Sequence, residues 1–237
     1  MPAEWPLPPE SFAPAPGEVL ILLASLEIPP ERLASLRATF SPREQARADS
    51  FAHDHLRRHW SAARGMLREI LGRATGLPPQ QIDFTYGAHG KPALRQDPSL
   101  RFNVSHSGER ALYAFSRTGE VGVDIELPRG RRTDDLARRF FAPGEQQRLF
   151  ALEQPARADA FFRLWTCKEA FMKATGEGLS RSLRSYEIDP AQGRVLWATG
   201  EDAARWSVHP LDPPGPYLAA LIAEGPAAVR RHRYPAS

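Results

Sequence analysis

The chain has 237 residues, of which 42% are hydrophobic and 25% charged, and this composition is typical of a globular protein with a substantial core. Its net charge of +3 is too small and too dispersed to predict a nucleic-acid partner. Cys167 is the only cysteine, which excludes an intrachain disulfide, and the longest apolar run, residues 19–24, is too short to span a membrane. We therefore expect a cytoplasmic protein without a membrane segment.

The first 17 residues are rich in proline and lack an apolar period, which predicts a loosely held arm. An N-terminal half is expected over residues 18–118, opening with a buried strand. A short helix follows, and then a second helix with Ser41 as N-cap and Glu44 completing a capping box. Arg47 lies on this second helix.

A longer helix is expected over residues 54–73, with one apolar and one basic face. His55 and His59, near its start, have the spacing of zinc ligands on a helix. Since no third ligand of suitable spacing follows, we interpret them as part of a solvated helix start.

A glycine-rich loop, residues 87–92, carries Gly90, Lys91 and Pro92. Glycines let a backbone approach a ligand closely, and a lysine offers a charge for phosphate. The six residues are equally compatible with a plain hairpin turn and a surface lysine.

Ser105 and His106 are adjacent at the end of a predicted strand, residues 101–105. Neighbouring residues of a strand point to opposite faces, so they cannot act as a nucleophile and its base. They fit better as two donors to a phosphate.

A C-terminal half is expected over residues 119–225, and its first strand, residues 121–126, carries Asp124 and Glu126 on one face. Two neighbouring carboxylates repel each other unless a cation lies between them, and oxygen ligands suit Mg²⁺. The alternative is a polar strand end with surface charges.

An amphipathic helix is predicted over residues 161–176, with two neighbouring stripes. One stripe is apolar and predicts burial, and it contains Leu164, Cys167, Phe171 and Ala174. The other carries Glu169 and Lys173 four residues apart, which is the spacing either of a site for metal and phosphate or of an ordinary surface ion pair.

Four further strands are expected before a short basic tail at residues 226–237. A faint repeat relates residues 42–47 to 143–148 and Trp60 to Trp165. This alignment places Arg64 at the position of Glu169, so that one site would lie between two unlike halves.

Four segments together resemble the 4'-phosphopantetheinyl transferases of the surfactin-synthetase-activating type: residues 90–92, 102–108, 122–126 and 165–173. The resemblance implies an α+β fold of two related halves, each with a small antiparallel sheet and helices about a pseudo-two-fold axis. It also implies transfer of the 4'-phosphopantetheine arm from coenzyme A to a serine of an apo acyl or peptidyl carrier protein. The pseudo-symmetry within one chain favours a monomer. Adenosine 3',5'-bisphosphate would be released, and the carrier would serve fatty-acid, polyketide or nonribosomal peptide biosynthesis.

The same resemblance implies roles for single residues. Asp124, Glu126 and Glu169 would hold Mg²⁺. Glu169 would also accept the proton of the carrier serine, and Lys173 would stabilise the leaving phosphate. The remaining residues would bind coenzyme A, chiefly its phosphates: Arg47, Gly90, Lys91, Pro92, Ser105, His106 and Lys168.

Two other functions remain open at this point. A Mg²⁺-dependent nucleotide phosphodiesterase or pyrophosphatase would use the same carboxylates and lysine without a carrier protein. A non-catalytic module that binds coenzyme A or a carrier would have little use for a metal and a base.

Overall fold

The computed structural model describes residues 4–8, 13–128 and 133–235, except the side chain of Leu179. The N-terminal half consists of one strand, three helices and four further strands. These are β1 (Glu18–Ser25), α1 (Pro30–Arg37), α2 (Pro42–Asp49), α3 (Asp54–Thr75), β2 (Phe84–Tyr86), β3 (Pro92–Leu94), β4 (Arg101–Ser107) and β5 (Arg110–Ser116).

The C-terminal half repeats this order of one strand, three helices and four strands, and a last strand follows it. The elements are β6 (Val121–Glu126), α4 (Thr133–Phe140), α5 (Pro143–Phe150), α6 (Ala156–Thr175), β7 (Tyr186–Asp189), β8 (Arg194–Ala198), β9 (Trp206–Leu211), β10 (Leu218–Glu224) and β11 (Ala228–Tyr234). The predicted α+β architecture of two related halves is confirmed.

Each half has its own sheet. The strand order is β11-β1-β5-β4 in the first sheet and β6-β10-β9-β8-β7 in the second, while β2 and β3 form a separate hairpin. An apolar cluster joins the two sheets, with Ile21 of β1, Val123 and Ile125 of β6 and Leu221 of β10 all buried in it. The halves therefore share a core, and their facing strands are held at a fixed seam.

Helix α6 packs against β6 and β10 through the apolar stripe that the sequence predicts, since Leu164, Cys167, Phe171 and Ala174 are all buried. A Cβ at Gly122 of β6 would lie 2.1 Å from the carbonyl oxygen of Ala170, so a glycine is needed for this close approach. Burial raises the pKa of the Cys167 thiol to about 12, in keeping with a core residue rather than a nucleophile.

The chain end is not a tail as expected. Residues 228–234 form β11, which pairs in parallel with β1, so that the end of the chain completes the sheet of the N-terminal half. Trp5 in the proline-rich arm is 5% exposed and packs in the cluster that joins the sheets. The domain boundary near residue 118 falls between β5 and β6 and stays a prediction. In the described part of the chain, no helix is long and apolar enough to span a membrane.

The first part of the predicted repeat has a structural basis. Residues 42–47 and 143–148 open α2 and α5, where the Glu44 and Glu145 side chains accept the N–H groups of Ser41 and Ala142, each at 2.8 Å. Each glutamate caps the helix that precedes the longest helix of its half.

The second part of the predicted repeat is wrong by several residues. Helices α3 and α6 both end in Ala-Thr followed by a glycine with positive φ, Gly76 at 74° and Gly176 at 75°. These ends relate the helices by a shift of 100 residues, which pairs Glu69, and not Arg64, with Glu169. The two tryptophans misled the sequence alignment because they do not occupy equivalent turns.

Candidate active site

The site lies at the seam between the halves, where β4 faces β6 and α6 crosses behind β6. Strand β6 carries the Asp124 carboxylate, α6 carries Glu169 and Lys173, and β4 contributes Ser105 from the other half. The structure thus brings four predicted site residues from three elements to one place.

The Asp124 side chain is 6% exposed, and its two oxygens differ in their hydrogen-bond partners. Oδ1 accepts hydrogen bonds from Ser105 Oγ at 2.8 Å and from Lys173 Nζ at 2.7 Å. Lys173 Nζ also donates to Ser105 Oγ at 2.8 Å, which closes a triangle. Oδ2 is buried, and no residue that the structure describes donates to it. A buried carboxylate oxygen without a partner is costly, so this atom is suited to a cation or a ligand donor.

Polar side chains of β4 hold β6 in register across the seam. Asn103 Oδ1 accepts the N–H of Val123 at 3.0 Å. Ser107 Oγ donates to Glu126 Oε2 at 3.0 Å and accepts the N–H of Leu127 at 3.1 Å. Asn103, Ser105 and Ser107 share one face of the strand, so β4 fixes the backbone beside Asp124 and aims the Glu126 carboxylate.

Glu169 lies partly buried on α6, one turn before Lys173. Burial raises its pKa first, and the negative charges of Asp124 and Glu126 raise it further, against the opposing effect of the Lys173 ammonium. Three carboxylates therefore affect one another at the seam, as expected of a site that favours a cation.

The carboxylates suit Mg²⁺ because they are oxygen donors, although their side chains are not arranged as a complete coordination shell. Among the described residues, no group of three or more His, Cys, Asp or Glu side chains is arranged to hold a metal ion. The free Asp124 Oδ2 and the oxygen-only donor set nevertheless suit Mg²⁺, which commonly keeps several waters and shares its coordination with substrate phosphates.

Two clefts lie beside the seam, and Pro92 of β3 lines both. One, of about 190 Å³, is also lined by Trp60, Arg64 and His106. His106 lines this cleft, where reduced hydration and then the Lys173 charge lower its pKa and so favour the neutral ring. The other, of about 310 Å³, is lined by Lys91 and by the end of α6.

Lys91 does not project freely from its loop. Its ammonium donates to Glu120 Oε2 at 2.7 Å and to the carbonyl oxygens of Ala174 at 2.8 Å and Val121 at 3.3 Å. Burial lowers its pKa, and Glu120 partly offsets that effect. Lys91 therefore joins the β2–β3 hairpin to the C-terminal end of α6, within reach of the second cleft.

Lys168 is not near the carboxylates of the seam. Its side chain is fully buried in the C-terminal half, where it donates to Glu145 Oε1 at 2.8 Å, Glu145 Oε2 at 2.7 Å and the Tyr186 carbonyl oxygen at 2.9 Å. In this arrangement the ammonium cannot reach a phosphate, contrary to the expectation that Lys168 helps to hold the pyrophosphate.

Arg47 and Gly90, which were also predicted to bind coenzyme A, do not contact the seam carboxylates in the described chain. Arg47 is exposed on α2, with its guanidinium 4.8 Å from the centre of the Phe51 ring. Gly90 has a φ of 83° in the hairpin turn, which favours glycine. Their binding roles stay predictions.

Sequence reasoning missed Asn103, Ser107 and Glu120 as parts of the site. Asn103 and Ser107 carry a signal that the sequence does show, because they alternate with the predicted phosphate donor Ser105 on one strand. Glu120 carries no such signal, since its partner Lys91 lies 29 residues away in the sequence.

Two family models match the chain. Residues 120–222 match the 4'-phosphopantetheinyl transferase superfamily, and residues 29–117 match a 4'-phosphopantetheinyl transferase N-terminal family. The two matched regions correspond to the two halves of the fold.

Three relatives show the same assignment, one of them over nearly the whole chain. The 4'-phosphopantetheinyl transferase HetI of Nostoc sp. is 37% identical over 93% of this chain and 94% of its own length. The transferase psf-1 of Bacillus pumilus is 39% identical over 69% of this chain and 70% of its own length. The transferase Sfp of Bacillus subtilis is 31% identical over 62% of this chain and 65% of its own length.

The chain therefore belongs to the 4'-phosphopantetheinyl transferase superfamily. It is an enzyme of that class, which transfers the phosphopantetheine arm of coenzyme A to carrier proteins.

Proposed function

We propose that the seam is the active site for a Mg²⁺-dependent transfer of 4'-phosphopantetheine from coenzyme A to a serine of an apo acyl or peptidyl carrier protein. The observation that carries the proposal is the buried Asp124 carboxylate, which has one oxygen held by Ser105 and Lys173 and the other without a donor in the described chain.

Asp124, Glu126 and Glu169 would hold the metal ion. When bound, Mg²⁺ would neutralise charge that develops on the pyrophosphate oxygens as the phosphoanhydride bond breaks. Ser107 keeps the Glu126 carboxylate directed across the seam through its hydrogen bond.

Glu169 is the candidate base for the carrier serine. The serine oxygen attacks the phosphorus that bears the pantetheine arm, its proton passes to Glu169 directly or through a water, and the bond to the bridging oxygen breaks. A carboxylate is a weak base for a hydroxyl, so the contribution of Glu169 depends on its position beside the serine as much as on its pKa.

Lys173 is the candidate to stabilise the leaving phosphate of adenosine 3',5'-bisphosphate. Its ammonium already lies beside Asp124 and Ser105, so it needs only a local movement to contact an incoming phosphate. His106 and Lys91, which line the two clefts beside Pro92, are the candidates to bind the other coenzyme A phosphates.

The test is intact-mass spectrometry of an apo carrier protein incubated with this protein, coenzyme A and Mg²⁺, alongside an EDTA control. The proposal predicts a metal-dependent gain of one phosphopantetheine arm, located on the carrier serine by peptide mapping. Cleavage of coenzyme A without any change in several carriers would favour a phosphodiesterase. Intact coenzyme A bound without turnover would favour a binding module.

A further inference from the structure

The buried ion pair of Lys168 and Glu145 lies directly behind the active-site face of α6. Both side chains are 0% exposed, and the ammonium has three protein acceptors. A buried charge with a full set of partners strongly restricts the position of the element that carries it, because any shift would leave the charge unpaired.

Tyr186 of β7 holds the same residue at its backbone. The Tyr186 hydroxyl donates to the carbonyl oxygen of Lys168 at 2.9 Å, while the Lys168 ammonium donates to the carbonyl oxygen of Tyr186 at 2.9 Å. Two opposed hydrogen bonds between the same two residues fix both the height of this turn of α6 and its rotation about the helix axis.

Glu145 connects the pair to two other elements. Its carboxylate accepts the N–H of Ala142 at the start of α5 and the N–H of Ile188 in β7, each at 2.8 Å. Since Glu145 contacts α5, α6 and β7 together, removal of its partner would loosen all three contacts.

The N-terminal half contains an equivalent buried ion pair, but no proposed active-site carboxylate lies beside it. Arg68 lies on α3 at the position that a shift of 100 residues gives for Lys168, is 2% exposed, and pairs with the capping glutamate Glu44 at 3.4 Å. It donates to the carbonyl oxygens of Thr39 at 2.7 Å and Ile82 at 2.8 Å. A buried cation on a capping glutamate is therefore a structural feature of both halves.

What differs between the halves is the next residue. Glu69, which follows Arg68, is bound by Arg32 and by the Tyr234 hydroxyl. Glu169, which follows Lys168, faces the seam. Consecutive residues of a helix are about 100° apart, so fixing the direction of Lys168 also fixes the direction of Glu169.

We propose that Lys168 is a positioning residue of the transferase, which through Glu145 and Tyr186 sets the rotation of α6 that points Glu169 and Lys173 at Asp124, and that it makes no contact with coenzyme A. This inference rests on the proposed function of the seam. It replaces the expectation that Lys168 binds the pyrophosphate.

The test compares three variants of the full-length protein: Lys168→Met, Lys168→Arg and Arg68→Met. Activity is expressed per folded molecule, with the folded fraction measured by thermal unfolding. For Lys168→Met, kcat is expected to fall at least about tenfold and the KM for coenzyme A to change by less than about threefold, because misplacement of a reacting group costs rate more than binding. Lys168→Arg, which copies the natural Arg68–Glu44 pair, is expected to restore kcat to within about threefold of the wild type.

Arg68→Met is the matched control. It removes a similarly buried cation from the N-terminal half, which does not carry the three carboxylates of the proposed metal site. It is expected to lower thermal stability but to leave kcat per folded molecule unchanged. A rise in KM with unchanged kcat in Lys168→Met would mean that Lys168 contacts coenzyme A, and would overturn the inference. If kcat per folded molecule is as high in Lys168→Met as in Arg68→Met, Lys168 contributes only to stability, and the inference is also overturned.

Two further measurements keep the test decisive. If Lys168→Met does not fold, Glu145→Gln retains the size of the side chain, and a normal kcat in that variant would refute the positioning role. If the wild type modifies no carrier, the proposed function fails. Mn²⁺ affinity in the presence of coenzyme A, read by electron paramagnetic resonance, then decides the point: the positioning role predicts weaker binding in Lys168→Met, and equal binding overturns it.

Discussion

The ammonium of Lys173 lies 2.7 Å from Asp124 Oδ1 and supplies the counter-charge for a carboxylate that is almost fully buried. The ammonium binds only one of the two oxygens, so Oδ1 is held in place while Oδ2 faces no donor of the described chain. The lysine thus supplies the counter-charge of Asp124 before substrate arrives, and in the proposed mechanism the same ammonium then stabilises the leaving phosphate.

Removing the Asp124 charge should abolish transfer without unfolding the protein. Asp124→Asn keeps the shape of the side chain but loses an anionic group of the proposed metal site. A metal ligand of this kind contributes on the order of 4 kcal/mol or more to the transition state, or about 1,000-fold in rate. Steady-state transfer kinetics and circular dichroism check both parts. Asp212→Asn, at a surface ion pair with Arg163, is the control and should keep normal activity. Substantial turnover by Asp124→Asn would remove Asp124 from the site.

The ionised Glu169 carboxylate should lower the free energy of unfolding of the metal-free protein, and this destabilisation should depend on pH. Its pKa in the folded, metal-free protein is raised from the ordinary 4.5, so between 4.5 and the folded pKa the native state binds more protons than the unfolded state. Stability from this group is therefore present at pH below 4.5 and is lost as the pH rises through the folded pKa.

Glu169→Gln removes the ionisable group, so the variant does not lose stability as Glu169 ionises with rising pH. We expect the metal-free variant to be more stable than the wild type at pH 7, with the gain vanishing at acid pH, while transfer activity is abolished. Urea unfolding in EDTA at several pH values measures the difference. A Glu169→Gln variant that is less stable than the wild type at pH 7 would contradict the inference that burial and carboxylate repulsion destabilise the ionised Glu169.

Lys91 should contribute to both coenzyme A binding and stability. Lys91→Ala removes the Glu120 ion pair and two bonds to backbone carbonyls, so we expect the free energy of unfolding to fall by about 1–2 kcal/mol. We also expect the KM for coenzyme A to rise with little change in kcat. Arg95→Ala, which breaks an exposed ion pair in the same hairpin, is the control and should change neither quantity appreciably. A loss confined to kcat would argue against a binding role for Lys91.

The last strand should stabilise the fold without taking part in chemistry. The Tyr234 hydroxyl donates to Glu69 Oε2 at 3.0 Å, and burial raises the pKa of Tyr234. Tyr234→Phe should lower the free energy of unfolding by about 1 kcal/mol and leave transfer unchanged. Chemical denaturation and the transfer assay, run on the same preparation, test this together. Loss of transfer in a fully folded Tyr234→Phe protein would show that β11 influences the seam.

The parts of the structure that the sequence predicted are those with a local pattern. The strand at residues 121–126 and the buried stripe of α6 follow from alternation and helical spacing, and both are confirmed. Placing Asp124 beside Lys173 needed the family resemblance, because no local pattern says which helix packs on which strand.

The parts that escaped prediction depend on distant partners. Strand β11 carries Arg231, His232 and Arg233, so it lacks the apolar alternation of a strand and resembles a basic tail; only its pairing with β1 at the opposite end of the chain makes it a strand. The direction of the Lys168 side chain could not be predicted from the sequence either, because its acceptors lie on α5 and β7.

The measurement that tests the central claim most directly is the stoichiometry of the reaction. Liquid chromatography with mass spectrometry would count adenosine 3',5'-bisphosphate released and carrier serines modified in the same sample. A transferase that uses the Asp124–Glu169–Lys173 site should release one nucleotide for each modified carrier, release none without carrier, and lose both products together in Asp124→Asn. Nucleotide release without a carrier, or carrier modification that survives in Asp124→Asn, would contradict the account.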